Sequence, residues 1–188
     1  MPDLAQVLRD AGLEVHDHRV PGRGHLEPRG VMLHHDAIGP GITRARGVEV
    51  MQNGRPDLAG PLANAWVDRT GAWCLITDQR ANHAGSCSSI ALTETFAGRA
   101  PDRDARDRGL SDDTTIGNRY LYGIEVANNG TGEPYPHAQI DSLARGVAAL
   151  LCVWGLHAGH VVHHRQATRR KIDMSYRGPI RELITTHM

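Results

Sequence analysis

The stretch GVMLHH, Gly30–His35, is an apolar run that stops on two adjacent histidines. A short apolar run bounded by turn residues reads as a buried strand. This one follows the Gly/Pro-rich link PGRGHLEPRG and precedes Pro40-Gly41. A strand that ends on polar side chains delivers them to one rim of a sheet, where binding groups gather. Two more segments behave alike. NRYLYGIEVANNG reads as a strand with Glu125 inside it and the turn residues Asn128-Asn129-Gly130 at its end. VVHH, Val161–His164, reads as a last strand, followed by the basic segment RQATRRK and then by Asp173.

Helices fall between these strands. Asp3 to Ala11 carries Leu4, Val7, Leu8 and Ala11 at helical spacing and stops at Gly12. Ile42 to Gln52 is a second helix, and Gly54 to Pro61 has the punctuation of a loop. NAWVDRTGAWCLIT, two apolar runs around Asp68-Arg69-Thr70-Gly71, reads as a hairpin, and DQRANHAGSCSS as the loop that leaves it. Ala97 to Gly117 is charged and nearly devoid of large apolar side chains, a solvated excursion. His137 to Trp154 is the clearest helix, with Ile140, Leu143, Val147, Leu150, Leu151 and Trp154 on one stripe, and Ile180 to Thr185 is a C-terminal helix started near Pro179. Strands alternating with helices predict an α/β fold with a central mixed β-sheet flanked by helices. The chain is long enough for one domain with a genuine core. Its expected parts are an N-terminal helix and linker over 1–28, a core over 29–179 and the C-terminal helix over 180–188.

Composition narrows the partners. Lys plus Arg and Asp plus Glu number 21 each, so no overall field attracts nucleic acid or an anionic membrane. No apolar run approaches the roughly 20 residues of a membrane span, and MPDLAQVLRDAGLEV lacks the basic-then-apolar order of a signal peptide. Cys74, Cys87 and Cys152 have no CxxC spacing and read as small buried thiols, with a Cys74–Cys87 bridge left open for an oxidising space. The 12 histidines are the unusual figure, clustered at His34 and His35 and again at His157, His160, His163 and His164. Histidine is the commonest metal ligand, so the clusters are where chemistry is sought first.

His34, His164 and Asp173 together offer two imidazoles and a carboxylate, enough for a catalytic zinc that keeps a fourth position for water. Glu125 is then a spare acid able to act as base. The competing account of paired histidines at a strand end is a hydrogen-bonded rim with no ligand. A carboxylate inside YGIEVA is harder to place that way. Period-2 alternation puts Tyr122, Ile124 and Val126 on one face and Gly123 with Glu125 on the other, and the glycine leaves room for a ligand.

GVMLHHDA, GRPDLAGPLANAWVDRTGAW, RANHAG, NRYLYGIEVANNGTGEPYP and VVHHRQATRRKID, in that order, resemble the zinc-dependent N-acetylmuramoyl-L-alanine amidases of the amidase-2 and peptidoglycan-recognition-protein superfamily. The likeness runs from about Arg29 to Pro179 and is greatest to amidase domains of endolysins from phages of actinobacteria. It implies His34 as first zinc ligand, His164 as second, with His163 where the family has glycine, and Asp173 as third. It implies Glu125 as the catalytic carboxylate and Lys171, two residues before the last ligand, as partner of the oxyanion. His83, Asn82 and Asn118 are implied at the substrate cleft. The chain departs from the pattern at His163, in a segment one residue short between His164 and Asp173, and at Met174, where proline is common. A slipped register would make His163 the ligand. Asn129-Gly130-Thr131 matches a glycosylation sequon, but Asn-Gly is also a favoured turn pair.

The resemblance implies zinc as cofactor and peptidoglycan muropeptide as substrate, with no nucleic acid, no membrane insertion and a monomeric chain. It implies synthesis in a host cytoplasm without a signal peptide and action on the wall after holin-type release. Two other readings compete with the amidase: a recognition module that binds muropeptide without cutting it, and a zinc endopeptidase acting within the stem peptide.

Overall fold

The computed structural model describes residues 2–188. Helix α1 (Leu4–Asp10) is capped by Asp3, whose carboxylate accepts from the Ala5 N–H at 3.2 Å, and it leads into β1 (Val15–Asp17). Then follow β2 (Gly30–His35), α2 (Arg44–Asn53), β3 (Gly54–Arg55), β4 (Leu58–Ala59), β5 (Ala65–Val67) and β6 (Trp73–Leu75). The second half holds β7 (Ser86–Ser88), α3 (Ser89–Phe96), β8 (Asp113–Ile116), β9 (Leu121–Val126), α4 (His137–Trp154), β10 (Val161–His163), α5 (His164–Ala167) and α6 (Ile180–Thr186).

Six strands form the main sheet in the order β1-β6-β5-β9-β2-β10. Only the β5–β6 hairpin pairs antiparallel; the other neighbours are parallel. The result is the α/β architecture expected from the alternation of elements, a mixed sheet with helices on both faces. Period-2 alternation decides which side chains go where. Val31, Leu33, Trp73, Leu75, Tyr122 and Ile124 face α1, α4 and α6 in one apolar cluster. Met32 and Val162 face α3 and α5, while Trp66, Cys74 and Ile76 pack under α2. Each fully buried Leu or Ile side chain contributes roughly 1.5–3 kcal/mol, so the larger cluster supplies most of the driving force. Helix α4 lies close on the sheet because Gly146 has no Cβ, which would stand 2.1 Å from the Trp73 ring.

Several elements differ from the sequence reading. Strand β1 is a three-residue edge strand, VHD, too short and too polar to show a period. Helix α3 lies in a region without a clear stripe; Ser88 caps it by accepting from the Ala91 N–H at 3.4 Å, and only Ala91, Leu92 and Thr95 are buried. The loop at 54–61 holds the small β3–β4 hairpin. His164 does not end β10 but begins α5, so the chain turns between the two histidines. The charged segment 97–117 is fastened rather than simply solvated. Ala105 is buried, Asp104 pairs with the buried Arg165 at 2.7 Å, Arg108 pairs with Glu94 at 2.8 Å, and β8 pairs with β7. Its apolar contacts come from alanines, which a scan for large side chains overlooks.

Cys74 and Cys87 are free thiols in separate apolar clusters, so the bridge left open by the sequence does not form. Burial pushes both thiols up to about 12, which leaves them unreactive near neutrality. Among the described residues no helix is long and apolar enough to cross a membrane.

Candidate metal centre

Strands β2 and β9 lie side by side in register, His34 against Glu125. Both side chains therefore project from the same end and face of the sheet, where ligands collect in open α/β folds. β10 pairs on the other side of β2, and the turn into α5 swings His164 onto that face. The loop after α5 then brings in Asp173. Its Oδ2 lies 2.9 Å from His34 Nδ1 and 3.0 Å from His164 Nδ1. The ligand atoms of His34, His164 and Asp173 all fall within 4.8 Å of one another, and all three residues are buried. Glu125 stands beside them with Oε1 4.0 Å from His34 Nδ1, and its buried Oε2 has no hydrogen-bond partner among the described residues. These residues lie in a cleft of about 280 Å³ that is also lined by Arg55, Asn82, Arg170 and Lys171.

The donor set can be tested for a metal from its hydrogen bonds. His164 Nε2 donates to the Ala84 carbonyl at 3.1 Å, an arrangement that turns its Nδ1 inward toward Asp173. His83 Nε2 likewise donates to the Leu121 carbonyl at 3.1 Å, leaving His83 Nδ1 to accept from His34 Nε2 at 3.1 Å. His34 therefore also turns its Nδ1 inward. Burial, followed by the neighbouring His164, pushes His34 down to about 4, so it is neutral near pH 7. For Asp173 burial works upward, but the bonds from His164 and His34 outweigh it and hold the carboxyl below its ordinary range. Two inward-facing imidazole nitrogens and a carboxylate converging on one point, with each ring held from behind by His83 or the Ala84 carbonyl, fit a bound cation and resemble the outer bracing of metal sites.

Glu125 is pushed the other way. Burial and then the negative charges of Asp173 and Asp36 raise its carboxyl well above the ordinary value. A raised folded-state value means that the native chain holds a proton the unfolded chain has lost. In the metal-free protein this burden is absent below the unfolded value near 4.5 and grows as pH rises through the folded value. Glu125→Gln is therefore expected to raise the metal-free melting temperature at pH 7 by on the order of 5 °C, with the gain shrinking toward pH 4. Thermal unfolding of both chains at the two pH values checks this. A gain that is the same at both would refute the assignment.

The remaining expected residues separate into different positions. His163 faces away from the cleft; its Nδ1 accepts from Arg165 at 2.8 Å, and it lines a different pocket with Asp102 and Arg181. Burial and then Arg165 push it down to about 3. Lys171 and Asn82 border the cleft, the Asn82 amide donating to the Ala59 carbonyl at 2.9 Å. His83 also lines the cleft, next to His34, with both nitrogens engaged by the protein. Asn118 is not on the cleft: its Oδ1 accepts from the N–H groups of His83, Ala84 and Gly85 at 3.1, 2.7 and 3.2 Å. The space left by Gly123 holds no ligand but the His83 ring, whose Cγ would stand 2.3 Å from a Cβ at that position. Gly123→Ala is expected to cost about 1–3 kcal/mol in urea unfolding through this overlap; an unchanged midpoint would refute it. Arg55 and Arg170 were not singled out from the sequence. Runs of arginine are common on surfaces, and only the fold brings these two to one cleft.

A mixed sheet with two histidines, an aspartate and a spare glutamate at one end of its parallel strands defines an α/β protein able to hold a metal beside an acid. The chain belongs to the N-acetylmuramoyl-L-alanine amidase family Amidase_2, which residues 24–176 match. No curated protein matches the chain. Its fold is similar to that of a selenomethionine AmpD derivative, at 18% identity and TM-score 0.61, covering 92% of this chain and 94% of that one. PlyL gives 13% identity and TM-score 0.60 over 94% and 98%. The endolysin N-acetylmuramoyl-L-alanine amidase LysCS from Clostridium intestinale URNW gives 14% and 0.56 over 91% and 94%.

Proposed function

We propose that the chain is a zinc-dependent amidase that hydrolyses the bond between the lactyl group of N-acetylmuramic acid and L-alanine in peptidoglycan. The observation that carries this reading is the convergence of His34 Nδ1, His164 Nδ1 and Asp173 beside an unpartnered Glu125 oxygen in an open cleft. Two imidazoles and one carboxylate are a donor set suited to zinc and leave a position for a fourth ligand. Zinc held there would supply Lewis-acid polarisation of the amide carbonyl and a water acidified towards neutrality.

The chain's own groups then have distinct tasks. Glu125, on the cleft wall, accepts a proton from the attacking water and passes it to the leaving nitrogen of L-alanine. The C–N bond breaks, the hydroxyl stays on the lactyl carbonyl carbon, and the proton goes to the amine. Lys171, at the cleft rim, offers its ammonium to the oxyanion of the tetrahedral intermediate. Asn82 borders the same opening and contacts substrate there. The role is that of an endolysin of a phage of actinobacteria, made in the host cytoplasm and acting on the wall after holin-type release.

Mass spectrometry of digested cell walls tests the reaction. The expected products are glycan with free lactyl-muramic residues and peptides that begin with L-alanine, lost on chelation and restored by zinc. Cleavage within the stem peptide would replace the amidase by an endopeptidase. Binding of walls with an intact metal site and no release would replace it by a recognition module.

A further inference from the structure

Asp173 belongs to a segment without regular structure: residues 168–179 form neither helix nor strand. The bonds that its Oδ2 makes with His34 and His164 at 2.9 and 3.0 Å use the nitrogens turned toward the candidate metal position, so they cannot also brace the loop of a loaded site. What remains is backbone support, and much of it comes from one residue. Arg165 donates from its own backbone N–H to the Asp173 carbonyl at 2.5 Å, from Nη1 to the Met174 carbonyl and from Nη2 to the Tyr176 carbonyl at 3.3 Å.

A buried guanidinium can do this only if it is itself fixed. The Arg165 side chain is 7% exposed, and the carboxylate that meets its charge is that of Asp104, whose Oδ1 accepts from Nε at 2.7 Å. A buried charge stripped of its partner is strongly destabilising where it stands. The other oxygen of Asp104, Oδ2, accepts from Arg177 Nη1 at 2.9 Å. One carboxylate thus grips the chain on both sides of Asp173. The Ala105 N–H donates to the Arg165 carbonyl at 2.9 Å, which ties the backbone beside Asp104 to the same turn. Asp104 itself comes from the charged excursion 97–117, which contributes nothing to the ligand set.

We propose that Asp104 is a positioning residue of the metal centre: by bridging Arg165 and Arg177 it fixes the guanidinium that carries the Asp173 loop, and with it the third ligand. The inference rests on the reading of His34, His164 and Asp173 as a metal site. Asp104 does not line the cleft, so it acts on where Asp173 stands and not on substrate. Partners that orient a ligand from outside typically account for about 10- to 100-fold in metal affinity, and Asp104, acting through Arg165, belongs at the lower end.

The test uses the full chain, stripped of metal, with zinc alone as probe and each variant checked for folding by circular dichroism at the assay temperature. Competition against a chromophoric chelator is expected to show Asp104→Ala binding zinc about 10-fold more weakly than wild type. Asp104→Asn keeps the side-chain shape but only one acceptor, and its expected loss is about 3- to 10-fold. Glu94→Gln is the control: it disrupts the pair with Arg108 at 2.8 Å, which fastens the same excursion without reaching the ligand loop, and is expected to bind zinc as wild type does. Cobalt(II) in place of zinc is expected to give a visible absorption band that shifts in Asp104→Ala and not in Glu94→Gln. Wild-type zinc affinity in a folded Asp104→Ala or Asp104→Asn, or an equal loss in Glu94→Gln, would overturn the proposal. A wild type that takes up no zinc would overturn it together with the metal site on which it rests. The expected pattern in a chain that does not cut walls would support the positioning role and overturn the amidase reading.

Discussion

Glu125→Ala is expected to retain zinc at the wild-type stoichiometry and to lose turnover by about 10²- to 10⁴-fold, the range that a positioned general base supplies. The two readouts separate because Glu125 takes no part in holding the ligands. The imidazoles of His34 and His164 make their hydrogen bonds with Asp173, His83 and Ala84, whereas Glu125 approaches only to 4.0 Å. Its Oε2 is buried without a protein partner, so no hydrogen bond to the chain commits this oxygen. Glu125→Gln, which keeps the shape and removes the basicity, is expected to match the alanine variant in rate. Zinc content by mass spectrometry and muropeptide release from walls decide the matter. Either a variant that still turns over or one that arrives without metal would remove Glu125 from the role of base.

The second large effect divides two neighbouring histidines. His164→Ala removes one of three ligands and is expected to weaken zinc binding by well over the 100-fold seen when only a bracing partner is lost. His163→Ala is expected to leave zinc affinity unchanged while lowering stability by about 1–3 kcal/mol, because the buried Arg165 guanidinium loses the acceptor it meets at 2.8 Å. Arg165 also donates to the carbonyls of Met174 and Tyr176, so the loop carrying Asp173 keeps much of its support without His163. Chelator competition and urea unfolding on the same two proteins give a crossed pattern. Loss of zinc binding in the His163 variant would mean that the turn between β10 and α5 has the other register.

The parts that could be read in advance share a physical reason. Helix α4 has a long stripe, and β2 and β9 have six residues each, enough for a period to appear and for their ends to be placed. Strand β1 and the β7–β8 pairing rest on three or four residues, and their identity comes from neighbours distant in the chain. The candidate ligands stood out because histidines and acids at strand ends are hard to explain otherwise. What surrounds them did not. Whether His163 or His164 faces the cleft depends on one turn of backbone, and that Gly123 accommodates His83 depends on a contact between separate segments that no local pattern encodes. Asn118 is an instance of the same limit: its amide is committed to three backbone groups of a loop more than thirty residues away.

The pairing of β2 with β10 sets when the centre can exist. His34 and Asp173 are 139 residues apart, and closing a loop of that length carries an entropic cost of about 4 kcal/mol beyond a constant. Strand β2 is synthesised long before its edge neighbour β10, and the last ligand comes later still. A chain interrupted before Asp173 contains Glu125 and His34 but lacks one of the three candidate ligands. A metal site built from these three residues is thereby tied to synthesis of the chain through Asp173.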